Sequence, residues 1–330
     1  MVIPNWNGER FLSTCLASLR RQSFDSFETV LVDNGSTDGS VAFVSRNFPE
    51  VKVLPLGENG GFSVAVNAGI KASHTEYVAL LNNDTEVHPE WLEALVGAAD
   101  SYPEAGSFAS KLVDFDDRRI LDGAGDVLRR SGLPYRLGHG ELDRGQYNEA
   151  AFVFGACAGA ALYRRSMLDE IGLFDEDFFA NCEDGDMSFR SQLAGYRCLY
   201  VPGSVVYHMG SATFGKRSPT STRLGTRNSL CVLVKNLPTP LVPGFLPFFV
   251  AGQLSRLIVT ASTSTLRAHL EGLAGALRLL PLMLRKRREI QRYRRVPVVY
   301  IKGLLRESSR AAGVSLRKRL VHLVGSRLGS

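Results

Sequence analysis

Short strand-like runs alternate with helix-like segments through the first hundred residues, and this alternation limits the possible folds more than any other feature. The runs FETVLV, VKVLPL and EYVALL are typical of strands, whereas ERFLSTCLASLRRQS, GFSVAVNAGIKAS and HPEWLEALVGAAD show the apolar spacing of helices. Such alternation predicts an α/β fold in which helices cover a parallel sheet. A chain of 330 residues, 45% of them hydrophobic, is long enough to bury a sizeable core.

Polar loops follow the strand-like runs. DNGSTDGS follows FETVLV, GENGGF follows VKVLPL and NNDT follows EYVALL. Because ligands of open parallel sheets bind beyond the carboxyl ends of the strands, the three loops are predicted to line one site. Ordinary turn chemistry explains them equally well. Asp33 suits an Asx-turn, Asp84 suits a helix cap, and Gly60 and Gly61 suit a plain turn.

Carboxylates mark two candidate sites. Asp84 ends a buried strand, a position suited to a hard divalent cation whose other ligands are water and phosphate oxygens. Glu183 and Asp184 open the helix-like segment EDGDMSFRSQLAGYR, where the helix macrodipole keeps a carboxylate ionised and usable as a general base. Acidic first turns are also common in helices without any function. His208 ends the run VPGSVVYH, a position typical of a hydrogen-bonded packing residue.

Motifs of several other protein classes are missing from the sequence. GAGDVL lacks the third glycine of a dinucleotide fingerprint, and neither a P-loop nor a G-x-S-x-G elbow is present. The five cysteines are scattered without C-x-x-C spacing, which predicts reduced thiols in the cytosol. The N-terminus does not resemble a signal peptide, and so few residues precede Pro4 that we expect the natural start to lie upstream.

Charge divides the chain into two regions. Residues 1–215 hold 17 Lys and Arg against 30 Asp and Glu, a net charge of −13, whereas residues 216–330 hold 22 against 3, a net charge of +19. The apolar segment 237–262 contains four prolines, together with Gln253 and Arg256, which makes it a poor spanning helix, and a basic cluster follows at 285–295.

Polybasic segments beside apolar helices bind anionic membrane surfaces, so we predict a peripheral protein on the inner face of the cell membrane. A helical dimerisation arm and a true membrane span are the alternatives. A nucleic-acid-binding tail is the rival from another class, and the acidic first two-thirds of the chain argues against it.

Ordered motifs across about residues 1–235 resemble the family 2 glycosyltransferases, in particular their bacterial rhamnosyltransferase-like branch. The motifs are PNWNGERFL, ETVLVDNGSTDGS, NGGFSVAVNAGI, YVALLNNDTEVHPEWL, GLFDEDFFANCEDGDMSFR and VPGSVVYHMGSAT. The resemblance implies a GT-A fold over residues 1–215, a Rossmann-like αβα sandwich with a mostly parallel sheet. Its nucleotide-binding half spans about 1–105 and its acceptor-binding half about 106–215. Residues 216–330 are then a basic, partly amphipathic helical region that associates with the membrane.

The resemblance also implies roles for individual residues. Asp33 is expected to recognise the nucleotide base, and Asp184, with Glu183 beside it, to be the catalytic base. Asp84, the last residue of the family's D-x-D motif, and His208 are expected to hold Mg²⁺ or Mn²⁺, although the motif here keeps only one carboxylate. Further residues expected to bind the nucleotide sugar are Pro4, Asn5, Asn7, Gly35, Asn59, Gly60, Gly61, Asn67, Asn82 and Asn83.

The activity implied is an inverting transfer of a sugar from a nucleotide diphosphate to a hydroxyl of a lipid-linked or growing cell-surface glycan. The predicted donor is dTDP-L-rhamnose, and a UDP-galactofuranose or UDP-hexose transferase is the alternative. A nucleotide-sugar-binding protein without transfer activity is the alternative from another class. The expected partners are the donor, the acceptor, an anionic membrane surface and a second copy of the chain, but not nucleic acid.

Overall fold

The computed structural model describes residues 1–210, 218–261 and 265–328, with side chains described as far as residue 318. The predicted boundary at 215–216 lies outside the described residues. The strands are β1 (Val2–Asn5), β2 (Val30–Asp33), β3 (Lys52–Pro55), β4 (Tyr77–Leu81), β5 (Thr85–Val87), β6 (Ala105–Asp114), β7 (Leu121–Ala124), β8 (Asp126–Leu128), β9 (Pro134–Arg136), β10 (Ala151–Val153), β11 (Ala160–Arg164) and β12 (Arg197–His208). The helices are α1 (Glu9–Leu19), α2 (Ser40–Asn47), α3 (Phe62–Lys71), α4 (Trp91–Ser101), α5 (Arg165–Ile171), α6 (Glu183–Ala194), α7 (Pro219–Asn236), α8 (Val242–Ala261), α9 (Leu266–Tyr293) and α10 (Val298–Leu328).

The first hundred residues form the parallel part of one large sheet, as the alternating pattern predicts. The order β3-β2-β1-β4 is parallel throughout. Successive β1 side chains enter different cores: Ile3 packs with Leu16 of α1 and Leu95 of α4, whereas Val2 packs with Ile70 of α3. Helices therefore cover both faces of the sheet, and the predicted αβα sandwich is confirmed.

The second part of the sheet is mixed rather than parallel. It continues from β4 through β11, β6 and β12 to β10, and β11 runs antiparallel to both of its neighbours. The short strand β5, which the sequence pattern does not indicate, follows the NND turn directly and pairs antiparallel with β12. In that pairing His208 lies opposite Thr85, so a residue from late in the chain comes to lie beside Asp84.

The helices after residue 218 share a core with the earlier part of the chain. In one hydrophobic cluster Phe178 and Phe189 pack with Cys231 of α7, Met283 of α9 and Ile301 of α10. The charge boundary of the sequence is thus crossed by a common core in the described structure.

Buried ion pairs join the same two regions. Lys235 of α7 contacts Asp175 at 2.6 Å and Asp186 of α6 at 2.7 Å. Lys286, which belongs to the basic cluster, also pairs with Asp175, at 2.6 Å, whereas Arg285 and Arg288 are exposed. One residue of the basic cluster therefore forms an ion pair within the fold, and two others lie on the surface.

Large apolar side chains are exposed on α8 and α9. Within the described part of the chain, one helical segment, Thr239–Ala261, is long and apolar enough to cross a membrane by length and composition, with a mean hydropathy of 1.4. Only 11% of its most apolar window is buried. The exposed apolar residues of the two helices are Leu246, Phe248, Val250, Leu254, Ile258, Val259, Leu270, Leu277 and Leu284.

Candidate active site

Hydrogen bonds from side-chain amides connect the loops at the carboxyl ends of β1 and β2, and we call this group of loops the cradle. Asn5 and Asp33 lie opposite each other at the carboxyl ends of the two strands. Asn5 Oδ1 accepts a hydrogen bond from Asn83 Nδ2 at 2.7 Å. Asn7 has a left-handed φ of 50°, and its Oδ1 accepts from the backbone N–H of Thr37 at 2.8 Å. Neutral amides therefore link the N-W-N-G segment, the loop after β2 and the N-N-D turn.

Asp33 presents a buried oxygen at the rim of this cradle. Its Oδ2 accepts from the backbone N–H of Ser36 at 3.2 Å, but its buried Oδ1 has no partner within the described residues. A buried acceptor without a donor is costly, so this oxygen fits an N–H group supplied by a ligand. Gly35 has a φ of +73°, and a Cβ there would lie 2.6 Å from Glu58 Cα, so glycine allows the two rim loops to touch.

The loop after β3 is held by an asparagine that the sequence analysis did not select. Asn34 Nδ2 donates to Asn59 Oδ1 and to the Gly61 carbonyl, each at 3.1 Å, and Asn34 Oδ1 accepts from Gly60 N at 3.0 Å. Gly61 has a φ of +89°, and a Cβ there would lie 2.5 Å from the Phe179 carbonyl oxygen. The loop after β3 is thus in close contact with the segment that leads to Asp184.

Two predicted binding residues lie in structural positions. The buried Asn67 of α3 donates to the Phe174 carbonyl at 2.8 Å and to Glu176 Oε1 at 2.9 Å, and its Oδ1 accepts from Phe174 N at 3.0 Å. These bonds use both polar atoms of the amide for the fold. Pro4 lies within β1 opposite Val32 and carries no side-chain polar atom.

The N-N-D turn is shaped by its two asparagines. Asn82 donates its backbone N–H to the Gly159 carbonyl at 2.7 Å, and its own carbonyl accepts from Thr85 Oγ1 at 2.6 Å. Asn83 is bonded to Asn5, as described above. Both asparagines therefore stabilise the turn, and Asp84 provides the carboxylate of the turn.

His208 lies next to Asp84 and is oriented by a second carboxylate. His208 Nε2 is 3.6 Å from Asp84 Oδ1, and His208 Nδ1 is 2.7 Å from Asp122 Oδ2. Burial opposes the charged imidazole, but hydrogen bonds to Asp122 and Asp84 raise the pKa of His208 to about 9. A carboxylate behind an imidazole is the usual second partner of a metal-bound histidine. Asp84 and His208 thus fit a divalent cation, which would replace the proton on Nε2.

Contacts continue from Asp122 to the predicted base. Asp122 also binds His139 Nδ1 at 2.9 Å and Arg136 Nη1 at 2.6 Å. Arg136 Nε lies 3.6 Å from Asp126 Oδ1, and ligand-type atoms of Asp126 and Asp184 lie within 4.8 Å of each other. Asp84 and Asp184 therefore stand at the two ends of one connected set of side chains.

A second group of side chains has the composition of a metal site. Asp126, Cys157 and Asp184 each offer one ligand atom within 4.8 Å of the others. Arg136 Nη2, however, donates to Cys157 Sγ at 3.0 Å, so a permanent positive charge already contacts the group. Repulsion from this guanidinium makes the Asp84–His208 pair the better place for a cation.

Asp184 and Glu183 differ in their surroundings. Burial raises the pKa of Asp184, and the charge of Arg136 acts in the opposite direction. Burial and the neighbouring Asp184 raise the pKa of Glu183, whose buried Oε2 has no partner within the described residues. Asp184 is half-buried and has a cation nearby, so it is better placed to exchange a proton with a ligand.

A strained segment presents Asp184 at the start of α6. Phe179, Asn181 and Cys182 have φ angles of 63°, 70° and 69°, a region that non-glycine residues rarely occupy. Asn228 of α7 holds the segment by donating from Nδ2 to the carbonyls of residues 178, 180 and 181 at 2.9, 2.8 and 2.7 Å. Strain of this kind concentrates at functional sites, where the surrounding structure maintains it.

Several residues of this network were not found from the sequence: Asp122, Asp126, Arg136, His139, Cys157 and Asn228. Four of them lie in the turn-rich stretch 122–139, and one of these, Asp126, belongs to the motif GAGDVL that does not complete a dinucleotide fingerprint. The concentration of ionisable side chains in a stretch rich in turn residues was the available clue. Nothing in the sequence indicated that this stretch folds between Asp84 and Asp184.

Comparison with known proteins places the first half of the chain in a described family. Residues 1–172 match Glycosyl transferase family 2. The N-acetylglucosaminyl-diphospho-decaprenol L-rhamnosyltransferase of Mycobacterium tuberculosis is 30% identical over 243 residues, which cover 66% of this chain and 76% of that protein.

Two solved structures share the fold at low sequence identity. S. aureus TarS 1–349 in complex with UDP has a TM-score of 0.55 at 18% identity, covering 88% of this chain and 89% of that one. The mannosyltransferase PcManGT of Pyrobaculum calidifontis, solved with GDP-Man and Mn²⁺, has a TM-score of 0.51 at 17% identity, covering 95% of this chain and 85% of that one.

Proposed function

Because the chain belongs to glycosyl transferase family 2 and is rhamnosyltransferase-like, we propose that it transfers L-rhamnose from dTDP-L-rhamnose to a hydroxyl of a lipid-linked glycan. The chain is a glycosyltransferase with a GT-A fold. The connected network from Asp84 to Asp184 is the observation that carries the proposal, because transfer requires a leaving-group site and a base on opposite sides of one sugar carbon.

The donor nucleotide lies in the amide-built cradle at the ends of β1 and β2. The unpartnered Oδ1 of Asp33 accepts an N–H of the base, and thymine and uracil both offer one at N3. A methyl group alone distinguishes these two bases, and one methyl group changes binding only modestly. The name of the mycobacterial relative favours rhamnose as the sugar, and a UDP-sugar remains the competing donor.

Asp84 and His208 would hold a divalent cation, Mg²⁺ or Mn²⁺, where the diphosphate binds. A bound divalent cation stabilises the negative charge that develops on the leaving diphosphate. A single carboxylate and one imidazole leave most coordination positions to phosphate and water oxygens, so cation and donor are expected to bind together. Asp122 keeps the imidazole oriented through Nδ1.

Asp184 acts as the general base on the acceptor side. It removes the proton from the acceptor hydroxyl as that oxygen bonds to the anomeric carbon. The bond from this carbon to the diphosphate oxygen breaks with its electron pair, so nucleoside diphosphate leaves and the configuration inverts. One base is sufficient for this displacement, whereas retaining enzymes need a second carboxylate as nucleophile.

The acceptor side of the proposal includes a membrane. Exposed apolar side chains on α8 and α9 and the exposed Arg285 and Arg288 suit an interface containing acyl chains and anionic headgroups. The mycobacterial relative is named for a decaprenol-linked substrate, which is embedded in a membrane. We therefore place the enzyme at the inner membrane face, where a lipid-linked acceptor is reached from the cytoplasm.

Nucleotide-induced stabilisation tests the donor site. The full chain is heated with dTDP, UDP or GDP, each with and without Mn²⁺, and a ligand at 100 times its Kd adds about 2.7 kcal/mol of stability. We expect the largest shift with dTDP and Mn²⁺, and we expect Asp84→Ala to lose the part that depends on Mn²⁺. A larger shift with UDP would favour the alternative donor, and no shift with any nucleotide would contradict the proposal.

Transfer itself is measured with dTDP-L-rhamnose and a short-chain prenyl-diphospho-N-acetylglucosamine as the test acceptor. We expect product from the wild type and from the matched surface variant Asp100→Asn, but not from Asp184→Asn. Full activity of Asp184→Asn would remove the base assignment.

Sedimentation with vesicles tests the membrane surface. The wild type should co-sediment with vesicles containing anionic lipid at low salt and be released by high salt. The double variant Leu254→Glu and Ile258→Glu should bind more weakly than the wild type at low salt. Binding to DNA but not to vesicles would support the nucleic-acid alternative instead.

A further inference from the structure

One guanidinium lies between the predicted cation site and the predicted base. Arg136 Nη1 contacts Asp122 Oδ2 at 2.6 Å, Nη2 contacts Cys157 Sγ at 3.0 Å, and Nε lies 3.6 Å from Asp126 Oδ1. The same side chain thus contacts the carboxylate that orients His208 and the carboxylate beside Asp184. An arginine suits this position because its donors are spread over a rigid plane and its charge is permanent.

The backbone makes room for this side chain. Asp126 and Arg136 are paired residues of the β8–β9 hairpin, so the strand register fixes their separation. A Cβ at Gly123 would lie 2.1 Å from Arg136 Cδ and 2.3 Å from Cγ. Only a residue without a side chain at position 123 leaves the path of Arg136 open.

The charges around Asp184 explain why a cation is needed there. Two carboxylates within 4.8 Å of each other, as in Asp126 and Asp184, favour protonation of one of them unless a positive charge offsets their repulsion. Six titratable groups of the described structure interact electrostatically with Asp184: Arg136, Asp126, Cys157, Tyr163, Cys182 and Glu183. Among these six groups, Arg136 is the cation.

We propose that Arg136 is a positioning residue of the transfer reaction, which keeps the Asp184 carboxylate ionised and holds it in fixed relation to the Asp122–His208 pair. The inference rests on the proposed function, in which Asp184 is the base. Arg136 acts through its neighbours and takes no proton itself. A protonated carboxyl group cannot accept the proton of the acceptor hydroxyl, so loss of this cation is expected to reduce the fraction of Asp184 that can act as a base.

The proton affinity of Asp184 is the direct test. Protein labelled with ¹³C at the aspartate carboxyl carbons is titrated by NMR without donor, acceptor or metal, and the Asp184 resonance is assigned by its loss in Asp184→Asn. Arg136→Met should raise the titration midpoint of Asp184 by at least about one pH unit, a tenfold change in proton affinity. Arg136→Lys should keep the midpoint closer to that of the wild type because it keeps the charge.

A complementary variant should shift the same midpoint in the opposite direction. Asp126→Asn removes the neighbouring carboxylate, so Asp184 should ionise at lower pH. This measurement can be made whether or not Arg136→Met folds. The exposed Arg119→Met is the matched control for loss of an arginine and should leave the midpoint unchanged.

The inference and the proposed function would be overturned by different results. An unchanged Asp184 midpoint in Arg136→Met, or in Asp126→Asn where Arg136→Met does not fold, would overturn the inference, since a purely structural role of Arg136 lowers activity without moving proton affinity. Full transfer activity of Asp184→Asn would instead overturn the proposed function, whatever the titrations give.

Discussion

The proposed nucleotide-binding half and the proposed acceptor-binding half build their parts of the candidate site from different chemical groups. In the first half, neutral amides and backbone groups join neighbouring loops, as in the bonds of Asn5, Asn7 and Asn34. In the second half, charged side chains from distant strands contact one another, as in the network that includes Asp122 and Arg136.

The difference follows from what each half has to do. A cradle for a nucleotide needs fixed donors and acceptors, and short amide-rich motifs supply them locally. A base for an incoming hydroxyl needs a tuned proton affinity, and only charges brought together by the whole fold supply it. We therefore expect substitutions in the first half to change donor affinity and substitutions in the second half to change turnover.

Removal of the base should have the largest effect. Asp184→Asn keeps the size of the side chain but cannot accept a proton, so kcat should fall about 10³-fold, within the usual contribution of a general base. Calorimetric affinity for dTDP with Mn²⁺ should stay unchanged because the donor cradle is intact. The exposed Asp169 gives a matched control, since Asp169→Asn should keep full turnover. A parallel loss of donor affinity would break the division between the two halves.

The buried carboxylate two residues further along α6 should affect stability rather than turnover. Asp186 accepts hydrogen bonds from Arg190 at 2.9 Å, Lys235 at 2.7 Å and Asn236 at 2.8 Å. Removing one partner of a buried ion pair leaves an uncompensated charge, so Asp186→Asn should lower the free energy of unfolding by about 3 kcal/mol. The exposed Glu271→Gln should cost less than about 0.5 kcal/mol.

The pH dependence of unfolding checks the same residue. Burial opposes ionisation, but Lys235 and Arg190 lower the pKa of Asp186 to about 2. Because this value lies below that of the unfolded chain, the stabilisation is complete above about pH 4 and is lost as the pH falls towards 2. Urea unfolding between pH 7 and pH 3 should show a smaller acid loss in Asp186→Asn than in the wild type. An equal loss in both proteins would exclude this carboxylate as its source.

An amide of the donor cradle should give the smallest effect. Asn34→Ala removes three hydrogen bonds that hold the loop of Asn59, Gly60 and Gly61. Since each bond contributes about 1 kcal/mol and the loop retains other contacts, dTDP affinity should fall about tenfold with kcat nearly unchanged. The exposed Asn47→Ala serves as the control in the same calorimetric titration. A fall in kcat without a change in affinity would reverse the predicted contrast.

The sequence predicts the first half of the fold well because its signals are local. Strand-helix alternation predicts the parallel order around β1, and the polar loops after Val32 and Leu81 do lie at one rim of the sheet. Asn67 shows what a sequence motif cannot predict. Its place in the motif NGGFSVAVNAGI does not reveal that its amide forms hydrogen bonds with the backbone of Phe174.

The acceptor half was less predictable because its contacts join residues far apart in the chain. Thr85 and His208 become neighbours only through the pairing of β5 with β12, and the strand β5 has three residues. Arg136 and Asp184 share a network although their segments show no common pattern. No local property of the turn-rich stretch 122–139 encodes its position in the folded chain.

The clamp on the segment before α6 also limits how such an enzyme can be rearranged. From a helix about fifty positions later in the chain, Asn228 holds the carbonyls of residues 178, 180 and 181. A chimaera that joins this catalytic part to the tail of a relative would need an amide side chain at the position of Asn228 in the helix that corresponds to α7. With Asp184 as the proposed base, exchange of the tail between family members is expected to lower turnover unless that amide is kept.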